Sequence, residues 1–304
     1  MIRAAFFGTP AEAVPVLLGV LQTATIELVV TRPDAPQGRS GEPVAPPVKV
    51  VAESMGLPVL QPRHPVDVLE SIRDLDVAVV AAYGLLVPVD LLAAPAAGFV
   101  NLHYSLLPRW RGASPVVRTI LAGDDVAGVT LIQMDEGLDT GPIYASESTA
   151  VRPGEATGEL TARLAVLGGG LMALTLSGVV DGTLTPVPQD DSRATAAAKV
   201  GVAEAFLDPA RHRVEAVDRA VRAFNPKPGA WAIVDGRRFK VWRVVPASGE
   251  VRPGVAVVDD DRVLLGCADG AVELLRVQPE GKPEMDALAW MNGRRREPAG
   301  FASG

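Results

Sequence analysis

Asn101 and His103 stand two residues apart, just after the apolar run Gly98-Phe99-Val100. On a β-strand that spacing puts both side chains on one face. The run Leu106-Leu107-Pro108-Arg109-Trp110 then breaks the strand, because Pro108 cannot continue a ladder. An amide donor and an imidazole aimed together from a strand end suit acyl transfer. One group steadies a developing oxyanion and the other handles a proton. Taken alone, the pair also fits a core histidine bonded to a backbone carbonyl beside a turn asparagine.

A second segment narrows the choice. Met134-Asp135-Glu136-Gly137-Leu138-Asp139-Thr140-Gly141-Pro142-Ile143 follows another apolar run and sets three carboxylates around two glycines. The glycines let the backbone turn tightly and approach a ligand closely. One of the carboxylates can be held against His103 and fix its orientation. Alone, the segment also reads as an acidic surface turn.

The elements that must position these groups alternate along the first 150 residues. Strands are expected at Ile2–Phe7, Ile26–Thr31, Val77–Ala81, Phe99–His103 and Val129–Met134. Helices are expected at Ala11–Leu21, Val48–Met55, Val66–Ile72 and Pro115–Ala122. Continuously apolar strands separated by helices predict an α/β fold with a Rossmann-like open parallel sheet, whose ligands sit beyond the C-terminal strand ends. The turn Gly8-Thr9-Pro10 lacks the G-x-G-x-x-G pattern, and there is no P-loop, so dinucleotide and ATP chemistry are disfavoured. Residues 34–47 are rich in Pro and Gly and form a loop longer than usual, either functional or a plain surface insertion.

A long helix is expected over Glu155–Val179, with Leu160, Leu164, Leu167, Leu171 and Leu174 inward and Glu159 and Arg163 outward. Beyond it, residues 186–203 read as a linker and 204–304 as a second domain, leaving 1–185 as the first. The helix Val214–Phe224 ends before Asn225-Pro226-Lys227-Pro228-Gly229. Five short strands follow, at Trp231–Val234, Arg238–Val244, Val255–Val258, Arg262–Cys267 and Val272–Val277, with Asp235-Gly236 and Asp269-Gly270 as hairpin turns. They predict a small OB-like β-barrel.

Composition bounds the remaining classes. The chain has 304 residues, 48% hydrophobic and 21% charged, as in a globular protein with an ample core. Its one cysteine, Cys267, excludes an internal disulfide and a thiolate zinc site, and His64, His103 and His212 lack metal-ligand spacing. No metal and no permanently bound cofactor is expected. The apolar run at the N-terminus is too short for a signal peptide, and no run is expected to reach membrane-spanning length. The expected location is the cytoplasm. Net charge is −7, yet residues 204–304 hold 16 Lys and Arg against 15 Asp and Glu. That basic third, with Arg294-Arg295-Arg296, fits either a weak nucleic-acid contact or a solvated face.

Together these pieces resemble the folate-dependent formyltransferases, and within them the branch acting on a charged initiator tRNA. The matching residues are Phe7-Gly8-Thr9-Pro10, Arg32-Pro33-Asp34, Pro47-Val48-Lys49, Ala82-Tyr83-Gly84-Leu85-Leu86, Asn101-Leu102-His103, Ser105–Ala113 and Gly137–Gly141. In the last third they are Arg222–Pro226, Lys240-Val241-Trp242 and Gln278–Lys282.

The resemblance implies catalytic roles for Asn101, His103 and Asp139. It implies folate contacts from Ser105, Leu106, Leu107 and Pro108 and from the loop Tyr83, Gly84, Leu85, Leu86 and Val87. It implies a tRNA contact from Arg39. The donor would be 10-formyltetrahydrofolate, a co-substrate, and the acceptor the α-amine of methionyl initiator tRNA. Asn101 and a protonated His103 would donate to the oxyanion, and Asp139 would stabilise the imidazolium and help move the proton, through water, from amine to leaving N10. A monomer is expected. The catalytic half alone leaves a second acceptor open, an amino sugar nucleotide.

Several positions depart from the family's pattern. They are Tyr104, where a small residue is common and where a narrower pocket would follow, Ser40-Gly41-Glu42, Ala196–Lys199 and Asp208-Pro209.

Overall fold

The structure, a computed structural model, describes residues 1–36 and 41–302 and divides into two compact units. The first unit takes 1–115, 126–150 and 161–197. The second takes 116–125, 151–160 and the chain from Ala198 onward.

In chain order the first stretch runs β1 (Ile2–Gly8), α1 (Val14–Val20), β2 (Ala24–Val30), β3 (Ala35–Pro36), β4 (Pro43–Val44), α2 (Pro47–Ser54) and β5 (Val59–Leu60). It continues through α3 (Leu69–Ile72), β6 (Val77–Ala81), α4 (Val89–Leu92), β7 (Phe99–His103), α5 (Pro115–Ala122), β8 (Val126–Gln133), β9 (Ile143–Ala150) and α6 (Thr157–Val180). One sheet has the order β5-β2-β1-β6-β7-β8-β9. From β5 to β7 all neighbours are parallel. β6, β7 apart from half-buried Asn101, and the C-terminal halves of β1 and β2 are buried, as a sheet covered on both faces requires.

Strand order reverses between β1 and β6, since β2 lies on one side of β1 and β6 on the other. In open α/β sheets that crevice is where ligands bind. Gly8, the Ala81–Gly84 turn and the Asn101–His103 strand end all lie at this C-terminal edge.

The sheet departs from the sequence expectation at its far edge. β8 pairs antiparallel to β7, and β9, which the sequence reading does not anticipate, pairs antiparallel to β8. For β9 the reason is connection length: only the nine residues 134–142 separate it from β8, enough for a hairpin and too few for a parallel crossover.

β7 alternates as expected. Leu102 points to α6, where an added Cβ on Gly168 would lie 2.1 Å from its Cδ2. Phe99 joins the cluster on the opposite face with Phe7, Val30, Val80 and Tyr83. Asn101 and His103 share Phe99's face by parity. α1 and α6 meet through glycines: a Cβ on Gly19 would lie 2.2 Å from Gly169 O.

Two expectations about α6 need correction. Leu174 faces outward and is 80% exposed, while Leu160, Leu164 and Leu171 are buried. The cause is phase: Met172 and Leu176 take the inward positions of that turn. The helix is also long and apolar enough to cross a membrane, with a mean hydropathy of 1.6, so the expectation that no run reaches that length does not hold. Here its apolar content is used on packing, through the buried leucines and the close approach at Gly168 and Gly169.

The second unit contains α7 (Val214–Ala223), β10 (Ala230–Val234), β11 (Arg237–Ala247), β12 (Val255–Asp259), β13 (Arg262–Cys267), β14 (Gly270–Pro279), β15 (Met285–Asp286), α8 (Ala287–Gly293) and β16 (Ala299–Ala302). Six antiparallel strands close a barrel in the order β11-β10-β16-β12-β13-β14, sealed by the β11–β14 pairing. The five expected strands are present. The sixth, β16, is four residues long and fits between β10 and β12 through Ile233↔Ala302 and Ala256↔Ala299. Asp235 and Gly236 both have positive φ, as their two-residue hairpin turn requires. α5 packs Val117 and Leu121 onto this barrel's core. Arg294 and Arg296 are engaged with Asp235 and Asp261.

Candidate active site

β7 delivers Asn101 and His103, and the turn between β8 and β9 delivers Asp139. Asn101 Nδ2 donates toward Asp139 Oδ1 at 3.5 Å. His103 Nδ1 lies 3.5 Å from Asp139 Oδ2. The structure therefore brings together three residues separated by up to 38 positions. It selects Asp139 from the three carboxylates of its segment. Asp135 instead caps the turn, accepting from Gly137 N at 3.0 Å and Thr140 Oγ1 at 2.7 Å. Glu136 is exposed.

His103 is 6% exposed, and both of its ring nitrogens face protein groups. Nε2 is 2.9 Å from Trp110 O. A carbonyl only accepts, so Nε2 carries the proton. Nδ1 faces the Asp139 carboxylate. With Nε2–H committed to Trp110, the second N–H of Asn101 Nδ2, beyond the one directed at Asp139, is a side-chain donor left for a ligand.

The Asp139 carboxylate has a further partner, Gly112 N, which donates to Oδ2 at 2.9 Å. Its backbone is left-handed, with φ +56, a region that Asp tolerates better than most residues. The turn is tight enough that glycine is obligatory behind it: a Cβ on Gly141 would lie 1.7 Å from Gln133 O.

The stretches assigned to folate by resemblance occupy the two neighbouring loops. Ser105 Oγ donates to Arg109 O at 2.6 Å. Leu106 lies over Gly128, and Leu107 N donates to Thr130 Oγ1 at 3.1 Å. Pro108 O accepts from Thr195 N. In the other loop Tyr83 is buried, its ring edge-on to Phe7 at 5.4 Å, and its carbonyl accepts from Thr9 Oγ1 at 2.9 Å. Gly84 turns with φ +82, Leu85 and Leu86 are exposed, and Val87 packs against the core beneath. Arg39 lies outside the described residues. The base of its loop is described: Lys49 Nζ contacts both Asp34 oxygens at 3.0 Å and Gln61 Oε1 at 2.9 Å.

Tyr104, a departure from the family's pattern, has its hydroxyl on Glu12 O at 2.8 Å, and burial pushes its titration above the ordinary tyrosine range. That bond holds the ring at the Ala11–Ala13 turn.

Sequence reasoning missed four contributors. Thr130 is fully buried opposite His103, donates to Ser105 O at 2.6 Å and accepts from Leu107 N. A polar residue inside the apolar strand Val-Ala-Gly-Val-Thr-Leu-Ile was the signal available for it. Gly112 and Trp110 act through backbone atoms, which no side-chain pattern reveals. Gln189 donates to Asp139 O at 2.9 Å and Gly141 O at 2.7 Å. Among the described residues, no group of three or more His, Cys, Asp or Glu converges as a metal site.

Comparison with known proteins follows the same division. A family described as formyl transferase matches residues 3–176, and one described as formyl transferase, C-terminal domain, matches residues 199–295. A methionyl-tRNA formyltransferase from Streptomyces coelicolor is 43% identical over 302 residues, covering 97% of each chain. One from Mycobacterium avium is 41% identical over 319 residues, covering 99% of each. Among solved structures, HypX from Aquifex aeolicus in complex with tetrahydrofolic acid is similar with a TM-score of 0.64 at 16% identity, over 95% of this chain and 47% of HypX. An N-formyltransferase from Helicobacter canadensis in complex with folinic acid and dTDP-3-aminofucose is similar with a TM-score of 0.68 at 16% identity, over 92% of this chain and all of that one. At that identity the two structures speak to the fold.

Proposed function

The chain belongs to the formyl transferase family and, within it, to the methionyl-tRNA formyltransferases, and from that premise we propose that Asn101, His103 and Asp139 carry the transfer of a formyl group from 10-formyltetrahydrofolate to the α-amine of methionyl initiator tRNA. The observation that carries this reading is the convergence of an amide, an imidazole and a carboxylate at the C-terminal end of β7.

The neutral amine attacks the formyl carbon, and a C–N bond forms as the carbonyl π pair moves to oxygen. Asn101 Nδ2–H donates to that oxyanion. The His103 ring, held between Trp110 O and the Asp139 carboxylate, sets positive charge beside it. Collapse expels N10 of the folate as the bond from carbon to N10 breaks. Asp139 accepts the proton from the ammonium through water and returns it to N10 by the same route. The step is complete without metal or resident cofactor.

Support for the folate contacts is positional. Ser105, Leu106, Leu107 and Pro108 begin two residues after His103, and the loop Tyr83 to Val87 leaves the adjacent strand β6. The exposed Leu85 and Leu86 suit the face of a pterin, and backbone groups its edge. Residues 1–185 form the catalytic domain in this reading, 186–203 the linker and 204–304 the tRNA-contacting domain. Arg39 is assigned to the tRNA acceptor arm, and the protein works as a cytoplasmic monomer.

A formyl-transfer assay tests the reading. Purified protein is mixed with 10-formyltetrahydrofolate and initiator Met-tRNA, elongator Met-tRNA or a nucleotide-linked amino sugar. Transfer to the initiator alone is expected. Transfer to the sugar in place of tRNA would overturn the acceptor and leave the chemistry standing.

A further inference from the structure

The segment leaving the first unit is tied to the site at every turn. Trp110 and Asp139 both hold left-handed backbone, with φ +65 and +56. For a bulky aromatic residue that conformation is costly and persists only where surroundings impose it. Thr195 Oγ1 accepts from Trp110 N at 2.9 Å, and Thr195 O accepts from Arg111 N at 2.8 Å. Ala197 N donates to Arg111 O, and a Cβ on Gly112 would lie 2.8 Å from Ala197 O. Gln189 Nε2 donates to Asp139 O and Gly141 O. Thus one strap, residues 189–197, braces the carbonyl that holds His103, the amide that holds Asp139, and the backbone of Asp139 itself.

The amide of Gln189 is oriented by a second residue. Its Oε1 accepts from Arg111 Nε at 3.0 Å and Nη2 at 2.8 Å. Guanidinium only donates, so it fixes which end of the amide faces it. The other end, the NH2, is thereby turned toward the two carbonyls. Arg111 also reaches Asp191 Oδ1 at 2.7 Å, and its side chain is largely enclosed.

We propose that Gln189 and Arg111 are positioning residues for formyl transfer: Arg111 orients Gln189, and Gln189 holds the Asp139 turn in its reactive conformation. This rests on the reading of Asp139 as catalytic. Small displacements of a reacting group cost on the order of 100-fold in rate.

The experiment measures kcat and both KM values for Q189L, Q189E, R111M, R111K and the double variant R111M/Q189L, with D139N alongside. Q189L and R111M are each expected to lower kcat by about 10- to 100-fold with KM for folate and Met-tRNA unchanged. The double variant should be no slower than the slower single, because the two act as one unit. R111K still donates and should recover most of the loss relative to R111M. Q189E keeps its bond to Arg111 but sets a carboxylate oxygen against two carbonyls, so it should be as slow as Q189L. Unchanged kcat in Q189L or Q189E, multiplicative losses in the double variant, or a rise confined to KM for Met-tRNA would overturn the proposal. Should the leucine or methionine variants fail to fold, Q189E and R111K decide it by their opposite expected effects. If D139N itself keeps full activity, it is the catalytic reading that falls.

Discussion

The backbone carbonyl of Trp110 accepts a hydrogen bond from Nε2 of His103 at 2.9 Å. This places a proton on Nε2 and turns Nδ1 toward Asp139, so the ring's orientation is set by a residue seven positions along the chain. His103→Ala is expected to lower kcat by about 10²- to 10⁴-fold. Asn101→Ala, which removes the oxyanion donor, is expected to cost about 10²- to 10³-fold. Single-turnover transfer with both substrates saturating measures the two. A loss below about tenfold in His103→Ala would remove it from the mechanism.

Thr130 links the strand opposite His103 to the loop that follows it. Thr130→Val keeps the shape but strips the partner from Leu107 N and Ser105 O in a dry environment. Each buried group left unsatisfied costs about 1–3 kcal/mol, and two are left, so urea unfolding should show a loss of at least that size. Looser 105–108 backbone should also raise KM for the folate more than KM for tRNA. Equal change in both would argue that the loop has no preference for the folate.

Arg39→Ala separates acceptor from donor. Removing one phosphate contact should weaken Met-tRNA use and reduce the salt dependence of its binding by about one phosphate's worth. Titration of folate should be unchanged. Parallel loss of both would refute the assignment of this residue to tRNA.

The Asp34–Lys49 pair at the base of that loop gives a pH signature. Hydrogen bonds from Gln61 and Lys49 hold the Asp34 carboxyl below its ordinary value of 3.8. The folded chain therefore binds this proton less readily than the unfolded chain. The pair's contribution to stability is full above 3.8 and is lost as pH falls through the lower folded value. The Tm difference between the native chain and Lys49→Met should be constant at neutral pH and shrink in that acid range. A difference that persists unchanged in strong acid would show that Lys49 acts through packing alone.

The sequence by itself determined most of the elements and the placement of Asn101 and His103 on one strand face. Apolar runs of strand length separated by helices specify a parallel sheet, because only a sheet covered on both faces buries them continuously. The i, i+2 spacing of Asn101 and His103 puts them on one face whatever surrounds them. Closing the barrel was left to tertiary structure: β16 is four residues with little pattern of its own, and only pairing with both β10 and β12 makes it a strand. Residue types alone left three neighbouring carboxylates open and the resemblance pointed to Asp139, but what holds Asp139 in place is a left-handed turn and Gly112 N, both backbone features that residue types do not encode. Gln189 and Thr195 lie in a polar, aperiodic segment whose sequence reads only as a connection. Their role comes from long-range hydrogen bonds, formed once the sheet has brought the Trp110 and Asp139 loops within reach of one strap.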